Sequence, residues 1–177
     1  PTVFQALFVG SGTPHKGLHH LLIAWARLNI AAPKRLVVVG PGMHPGIGAL
    51  FERTPDVEYQ PWIDHPELDA LYARSHLFIM PSLIEGFGQV YLEALAAGCP
   101  VLGTTNTGLP DLGREPDGVF LAPAGDPDAL TARIAELASA LMSNPEHRAH
   151  ARRCAERHPW ARFRRRLIDA LDGLDHG

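Results

Sequence analysis

The sequence predicts an α/β fold, with a doubly wound parallel sheet of about six strands and helices on both faces. Short apolar runs alternate with helix-forming segments along most of the 177 residues. These runs are nearly continuous in apolar residues rather than alternating, which is what strands buried on both faces require. Regular alternation of strand and helix with short links favours parallel strands, because each helix returns the chain to the same edge of the sheet.

Six segments of four to seven residues are predicted as strands, since most are rich in Val, Ile, Leu or Phe and several end in Gly, Pro or Ser. They are Phe4–Gly10, Arg35–Gly40, Val57–Gln60, His76–Met80, Pro100–Thr104 and Gly118–Leu121. In a doubly wound sheet, ligands bind at the carboxyl ends of the strands. The residues that follow each strand therefore carry most of the functional information.

Helical patterns fill the segments between several of these strands. The spacing of apolar residues indicates two helices, and an Ala/Leu-rich run that Gly98 and Pro100 terminate indicates a third. A fourth is predicted to open at an Asp–Pro pair that supplies the N-cap and the first helical position. The patterns are Leu18, Leu21, Leu22, Trp25 and Leu28; Leu68, Leu71 and Tyr72; Val90–Ala97; and Asp126-Pro127 to about Met142.

Composition and charge exclude several classes of protein. Hydrophobic residues make up 46% and charged residues 20% of the chain, which is typical of a globular protein. A net charge of -3 gives no electrostatic reason to expect a nucleic-acid partner. Cys99 and Cys154 are isolated, and the ten histidines show no HExxH spacing, so neither a disulfide framework nor a metal site is predicted. With no apolar run near 18 residues and no signal peptide, the sequence favours a soluble, cytoplasmic protein.

The character of the chain changes near residue 144. We predict a nucleotide-binding Rossmann-like domain over residues 1–143 and a helical extension of the same domain over 144–177. Eight of the sixteen basic residues fall between Arg148 and Arg166. Two interpretations stay open: a solvated helical face, or a surface that docks on a partner domain or on an anionic membrane.

The strongest functional signal follows the fourth strand, over residues 81–94. It consists of a strand end, a turn bracketed by Gly86 and Gly88, and the start of a helix. Both glycines are expected to take conformations closed to other residues and to let the backbone approach a ligand closely. The amides of Gly88, Gln89 and Val90 would be first-turn donors without helical partners, and with the helix dipole they form an anion site. A phosphate at this helix end is expected.

Glu93 lies one turn beyond Gln89, about 6 Å along the helix axis. It has no basic residue three or four positions away, and its apolar neighbours predict a partly buried stretch, where an unpaired carboxylate is costly. A phosphate at the helix end and a carboxylate that binds a diol one turn deeper is the geometry that a nucleotide needs.

A second glycine-rich loop follows the first strand, from Gly10 to Gly17. It contains Lys16, one of only two lysines in the chain. A cation at a helix start opposes the helix dipole, so Lys16 needs a compensating anion, and a pyrophosphate is one candidate. The loop after the second strand does not complete a dinucleotide fingerprint, because Pro45 occupies the place of its third glycine.

At this point the sequence resembles a known family. Glu85 and Glu93, with seven residues between them in a Pro-Ser-x-x-Glu-Gly-Phe-Gly context, are similar to the signature of family 4 retaining glycosyltransferases of the GT-B fold, also called glycosyl transferases group 1. The resemblance continues in the order of the family through most of the chain. Its further segments are 8–10, 16–17, 93–101, 108–111, 118–123 and 125–127.

The resemblance implies a role for each matching position. Glu85 would bind the hydroxyls of the donor sugar, and Lys16 would stabilise the leaving diphosphate, which makes these two the expected catalytic residues. Glu93 would hold the ribose, and the base would lie near Pro61, Trp62 and Ile63. The implied donor-binding set is Gly10, Ser11, Gly12, Lys16, Trp62, Ile63, Glu85, Gly86, Phe87, Gly88, Gln89, Val90 and Glu93.

The resemblance also implies what this chain lacks. The family usually places Arg where this chain has Ser11, and the amides of Ser11 and Gly12 are expected to compensate in part as an anion-binding nest. No metal and no cofactor are expected beyond the nucleotide sugar, which is the substrate. The acceptor site and a catalytic histidine would lie on a separate N-terminal domain, so this chain is expected to be a C-terminal half that binds the donor.

Two other functions remain open from the sequence. The first is a non-catalytic module that binds a nucleotide sugar, which the Ser11 substitution favours. The second is a sugar-nucleotide epimerase of the same two-domain architecture. Trp62 likewise has two interpretations: a platform for a base, or a residue of the core.

Overall fold

A six-stranded, wholly parallel sheet organises the computed structural model, which describes residues 3–86 and 88–159. The strands are β1 (Phe4–Val9), β2 (Lys34–Val39), β3 (Val57–Gln60), β4 (Leu77–Ile79), β5 (Val101–Thr104) and β6 (Val119–Ala122). Their order across the sheet is β3-β2-β1-β4-β5-β6. The predicted sheet is confirmed. No predicted strand begins or ends more than one residue away from the observed strand.

Six α-helices connect and flank these strands in the part of the chain that the structure describes. They are α1 (Leu18–Arg27), α2 (Pro45–Phe51), α3 (His65–Arg74), α4 (Gln89–Ala96), α5 (Pro127–Ser143) and α6 (Glu146–Glu156). Asp126 caps α5 as predicted, because its side chain accepts from the amides of Asp128 and Ala129. Gly98, at φ +79°, follows the end of α4 as predicted.

Helix α2 is absent from the sequence prediction. Two of its seven residues are Gly46 and Gly48, and glycine is a poor helix former, so the apolar pattern is short and weak. The helix starts at Pro45, and the ring of His44 accepts the amide of Gly46 at 3.2 Å. Imidazole is an uncommon cap, and a search for Ser, Thr, Asp or Asn does not find it.

The helices form two packed groups. Helix α1 packs against α2 and α5, whereas α4 packs against α3 and α6. Right-handed crossovers on either side of the sheet centre place these groups on opposite faces. The core includes the fully buried side chains of Trp25, Tyr72 and Tyr91, together with the central strands.

The direction in which the strands are added reverses between β1 and β4. Leu7 of β1 pairs with Val37 of β2 on one side and with Phe78 of β4 on the other. The connections that leave β1 and β4 therefore turn to opposite faces, which opens a crevice at the carboxyl edge of the sheet. Both glycine-rich loops of the sequence analysis begin there.

Arginines of α6 satisfy the ends of other helices. Arg148 donates to the carbonyls of Ala73 at 2.6 Å and Ser75 at 2.7 Å, at the carboxyl end of α3. Arg152 donates to the carbonyl of Ala97 at 3.4 Å, at the end of α4. Cations that bond the last carbonyls of a helix also complement its dipole. These two arginines therefore bind within the fold.

The other described arginines of the basic stretch differ in their surroundings. Arg157 forms an ion pair with Asp117 at 2.6 Å, and Arg153 is exposed. The triple arginine and the residues beyond 159 lie outside the described part of the chain. The proposed docking surface on a membrane or a partner domain stays a prediction there, as does the division of the domain at residue 143. Among the described residues, no helix is long and apolar enough to cross a membrane.

Candidate functional site at the sheet switch point

The loops that follow β1 and β4 are held together by their backbones. Gly17, at φ +74°, lies so close to Pro81 that a Cβ there would stand 1.9 Å from the Pro81 carbonyl oxygen. Two residues after Pro81 in the chain, the amide of Leu83 donates to the carbonyl of His15 at 2.8 Å. Only glycine fits at position 17, and these contacts bring the two loops to one place.

Lys16 and Glu85 meet at this junction. The Lys16 ammonium donates to Glu85 Oε2, and the two side chains are 22% and 18% exposed. Of the six ion pairs found in residues 3–86 and 88–159, it is the one in which both side chains are less than a quarter exposed. The compensating anion that Lys16 is expected to need is therefore the Glu85 carboxylate of the same chain. The structure also brings the two predicted catalytic residues into contact.

Helix α4 begins beside this ion pair. Its N-cap is Gly88, at φ +58°, where a Cβ would stand 2.6 Å from the ring of Tyr91 and 3.4 Å from Cγ of Glu85. Glu85 thus lies against the amino end of α4. No side chain caps this end. The first-turn amides of α4, including those of Gln89 and Val90, therefore retain the character of an anion site.

Gly86 differs from Gly88. It does not adopt a positive φ, and a Cβ built on it would meet nothing within 4 Å. The expectation that both glycines take conformations closed to other residues is wrong for Gly86, which borders open space. Its carbonyl accepts the amide of Gly108 at 2.9 Å, so the loop after β5 supports the turn. Phe87, between the two glycines, lies outside the described residues.

Glu93 lies one turn along α4, and its surroundings differ from the expectation. The residue is exposed, whereas the sequence pattern predicts a partly buried stretch. Its neighbours Ala94 and Leu95 are buried because they face the sheet, and Glu93 lies on the other side of the helix. The argument from the cost of an unpaired buried carboxylate is therefore wrong.

A tyrosine of α3 orients the Glu93 carboxylate. The hydroxyl of Tyr72 donates to Glu93 Oε2 at 3.3 Å, and Tyr72 itself is fully buried. Burial, followed by the nearby Glu93 charge, raises the pKa of Tyr72 well above its usual range, so the hydroxyl keeps its proton. The carboxylate is thus held by a rigid donor on one side and open to solvent on the other. Sequence reasoning missed Tyr72 because its partner is on another helix.

The loop after β1 is also tied to the loop after β2. The amide of Gly12 donates to the carbonyl of Gly42 at 3.0 Å, and the carbonyl of Gly12 accepts from the amide of His44 at 2.9 Å. The expected nest of Ser11 and Gly12 amides is therefore wrong, since the Gly12 amide is already bonded. Ser11 instead shares a hydrogen bond with the hydroxyl of Thr13 at 3.1 Å.

Trp62 follows β3, at the same edge of the sheet. It is 77% exposed, which excludes the alternative that it belongs to the core. Ile63 packs partly against the core. In the Glu85 loop, Ile84 is 70% exposed as well. Two large apolar side chains thus stand in solvent at the edge where the crevice opens. Among the described residues, no three His, Cys, Asp or Glu side chains are grouped to hold a metal ion.

The site lies in the crevice where the strand order reverses, and it combines two linked loops with the spacing of Glu85 and Glu93. The sequence that forms this site also matches the model of a known family. The family model described as glycosyl transferases group 1 matches residues 4–140. The chain belongs to this family. Its resemblance to the group 1 glycosyltransferases, stated from the motif, is confirmed.

Curated relatives and solved structures of group 1 glycosyltransferases define what part this chain represents. The O-antigen chain mannosyltransferase B of Escherichia coli is 31% identical over 136 residues, which are 73% of this chain and 35% of that protein. The chain therefore spans about a third of the length of this curated relative. The structure of the C-terminal domain of a group 1 protein, LpcC of Francisella tularensis, aligns with a TM-score of 0.68 at 18% identity, covering 86% of this chain and 82% of that one. The predicted fold, that of the C-terminal domain of a GT-B glycosyltransferase, is confirmed.

A complex with a nucleotide shows the same fold. The Anabaena protein HepE, solved with UDP and glucose, aligns with a TM-score of 0.81 at 19% identity, over 96% of this chain and 48% of that chain. At this identity the likeness establishes the fold of the half that this chain matches.

Proposed function

We propose that this chain is the donor-binding half of a retaining glycosyltransferase that transfers a sugar from a nucleoside diphosphate to a hydroxyl acceptor. The supporting observation is the meeting of Lys16 and Glu85 at the uncapped amino end of α4. A diphosphate there would contact one ammonium and the first-turn amides, and these donors stabilise negative charge that develops on a leaving phosphate.

Each residue has a defined place in this proposal. Glu85, against the N-cap of α4, would accept hydrogen bonds from sugar hydroxyls, in the open space beside Gly86. Glu93, one turn along the exposed side of α4, would accept from the two ribose hydroxyls. Trp62 would offer its exposed ring to the base. HepE, of the same fold, was solved with UDP and glucose, which is consistent with this class of donor.

Half of the enzyme is expected to lie elsewhere. The chain covers 48% of HepE and 35% of the Escherichia coli relative. We propose that the acceptor site and the remaining catalytic groups reside on an N-terminal domain, and that the 177 residues alone bind the donor with little or no transfer.

Binding of the nucleotide tests the proposal directly. Calorimetric titration with UDP, GDP, UDP-glucose and GDP-mannose should reveal binding of one nucleotide and of its sugar, and a turnover assay on the longer parent protein should show transfer. Binding without turnover in the parent would favour a non-catalytic module. Epimerised donor in the absence of acceptor would favour an epimerase.

The Glu93→Ala variant tests the ribose role. Loss of a charged acceptor for two hydroxyls should weaken binding of the nucleoside diphosphate itself by roughly 10- to 100-fold, since hydrogen bonds to charged groups contribute about 1.5–3 kcal/mol. Glu146→Ala, which removes an exposed carboxylate from the first turn of α6, is the matched control and should bind like wild type. Equal nucleotide affinity in wild type and Glu93→Ala would overturn the assignment.

A further inference from the structure

The Lys16–Glu85 ion pair places one cation between two anions once a diphosphate binds. The ammonium contacts Glu85 Oε2, and Glu85 lies against the N-cap of the helix whose first-turn amides would hold the phosphates. A phosphate that approaches these amides therefore approaches the Glu85 carboxylate as well. Two negative groups then compete for the same ammonium.

The surroundings of the pair make this competition strong. Both side chains are about four-fifths buried, at 22% and 18% exposure, so solvent screens their charges less than it screens those of surface pairs. The second lysine of the chain, Lys34, donates to the carbonyls of Trp25 at 2.8 Å and Leu28 at 2.6 Å, so it caps α1. It is therefore committed to the carboxyl end of α1.

The loops themselves cannot separate the pair easily. Gly17 abuts the carbonyl of Pro81, and Leu83 donates to His15, immediately on either side of Lys16 and before Glu85. The two backbones are fixed relative to each other. Any change in the Lys16–Glu85 contact must therefore come from rotation of the side chains, driven by what binds to them.

We propose that Glu85 makes the site select an intact nucleotide sugar over the free nucleoside diphosphate, by holding Lys16 until a sugar occupies the carboxylate. This inference rests on the proposed function and deepens it. A sugar offers hydroxyl donors to Glu85, and these replace the hydrogen bonds that the carboxylate loses when Lys16 turns to the phosphates. A free diphosphate offers no such donor, so Lys16 can turn to it only by leaving the carboxylate without a partner.

The consequence is coupling between two contacts of one ligand. The sugar–Glu85 contact and the diphosphate–Lys16 contact each become more favourable when the other is formed, as linked binding equilibria require. A product nucleotide that has lost its sugar binds less tightly than its phosphate contacts alone would allow. Release of the product is thereby promoted.

The Glu85→Gln variant separates this role from simple sugar binding. It removes the charge while it keeps a side chain of the same size, so Lys16 is no longer held by a carboxylate. The free nucleotide should therefore bind more tightly by roughly three- to tenfold, the gain expected when a partly screened ion pair need not be broken. The intact donor should gain less or bind more weakly. The ratio of the two dissociation constants, for UDP and UDP-glucose or for GDP and GDP-mannose, therefore falls.

A double-mutant cycle assigns the effect to Lys16. In a Lys16→Met background, Glu85→Gln should change the affinity for the free nucleotide by no more than about twofold, because no ammonium remains to be released. Glu115→Gln is the matched control: it removes a carboxylate paired with Arg133 next to β6 and should leave both affinities unchanged.

Calorimetry on the 177-residue chain decides among the outcomes, with circular dichroism to establish that each variant is folded. Tighter binding of the free nucleotide in Glu85→Gln, lost in the Lys16→Met background, supports the inference. Unchanged or weaker binding in Glu85→Gln overturns it, as does a gain of the same size without Lys16. If wild type binds none of the four nucleotides, the proposed function fails and this inference with it.

Discussion

At the scale of single residues, glycine has two separate uses in the turn before α4. Gly88 is required by the fold, because its φ of +58° and the 2.6 Å approach of a Cβ to the Tyr91 ring exclude other side chains. Gly86 is required by nothing in the described part of the chain, since the space beside it is empty. The sequence shows both as glycines in one motif, and only coordinates separate the two.

Alanine substitutions at the two glycines are therefore expected to affect different properties, stability at Gly88 and ligand binding at Gly86. Gly88→Ala should destabilise the protein by about 1–3 kcal/mol, through backbone strain and contact with a fully buried ring, and should lower the midpoint of urea unfolding. Gly86→Ala should leave the free energy of unfolding within about 0.5 kcal/mol of wild type and should weaken binding of the nucleotide sugar. A Gly86→Ala protein that unfolds as early as Gly88→Ala would contradict the distinction.

For the predicted site residues too, the structure shows contacts that the sequence does not reveal. The sequence identified Lys16 and Glu85 separately, through the helix dipole and through a motif, and the structure joins them. It could not show that the Gly12 amide is already bonded to Gly42, because that contact links loops thirty residues apart in the chain. The exposure of Glu93 and its bond to Tyr72 were equally hidden, since both depend on how α3 packs beside α4.

At the scale of elements, α6 anchors the ends of its neighbours. Arg148 bonds two carbonyls at the end of α3 and approaches that of Gly98 at 3.5 Å. Arg152 approaches the end of α4. The sequence predicts a helical extension here, and its concentration of arginine suits either a solvated face or a docking surface. Only tertiary contacts show that Arg148 and Arg152 bond the ends of neighbouring helices. The opposite end of α4 is the proposed phosphate site, so α6 braces the helix that carries it.

Arg148→Met tests this bracing. The aliphatic part of the side chain remains, but the carbonyls of Ala73, which is exposed, and Ser75, which is buried, lose the guanidinium donor. A buried acceptor that loses its donor costs about 1–3 kcal/mol. The free energy of unfolding, measured with urea, should fall by about 1–3 kcal/mol. Arg153→Met, on the exposed side of the same helix, should change it by less than about 0.5 kcal/mol. Equal effects would show that α6 is only a solvated surface helix.

The strands and most helices were within reach of sequence reasoning for a physical reason. Strands buried on both faces must be apolar throughout, and a helix that packs on a sheet must repeat its apolar residues at helical spacing. Helix α2 has neither signal, because it is seven residues long, contains two glycines, and buries only Ile47. Its position follows from the connection it makes between β2 and β3.

At the scale of the whole molecule, neutral histidines couple stability to pH. Burial lowers the pKa of His19, with a smaller contribution from the charge of His20, and burial also lowers the pKa of His20 itself. Burial, followed by the charge of Arg148, also lowers the pKa of His76. In the unfolded chain the pKa values of all three histidines return to the ordinary value of about 6.5.

The sign of the pH dependence follows from these directions. Between the lowered folded pKa and 6.5, the unfolded chain binds more protons than the folded one, so stability is complete above pH 7 and falls as the pH drops below 6.5. The midpoint of thermal unfolding should therefore be lower at pH 5.5 than at pH 7.5. Glu58 and Asp117, whose pKa values are lowered mainly by bonds from Arg35 and Arg157, stay ionised in this window and do not contribute.

Substitution identifies the groups responsible. A His19→Gln, His20→Gln double variant should flatten the dependence of the midpoint on pH, whereas His65→Gln, at the exposed first turn of α3, should leave it unchanged. A midpoint that is constant from pH 7.5 to 5.5 in the wild type would show that the histidines titrate alike in both states.

The contact of Gly17 with Pro81 has a consequence for engineering this domain. Because the carbonyl of one loop fills the space that a side chain of the other would need, the junction tolerates no variation and offers no adjustable part. Libraries that aim to alter which sugar is accepted should leave it untouched and instead diversify Ile84 and Trp62, whose side chains are 70% and 77% exposed. Those positions change the mouth of the crevice while its frame stays intact.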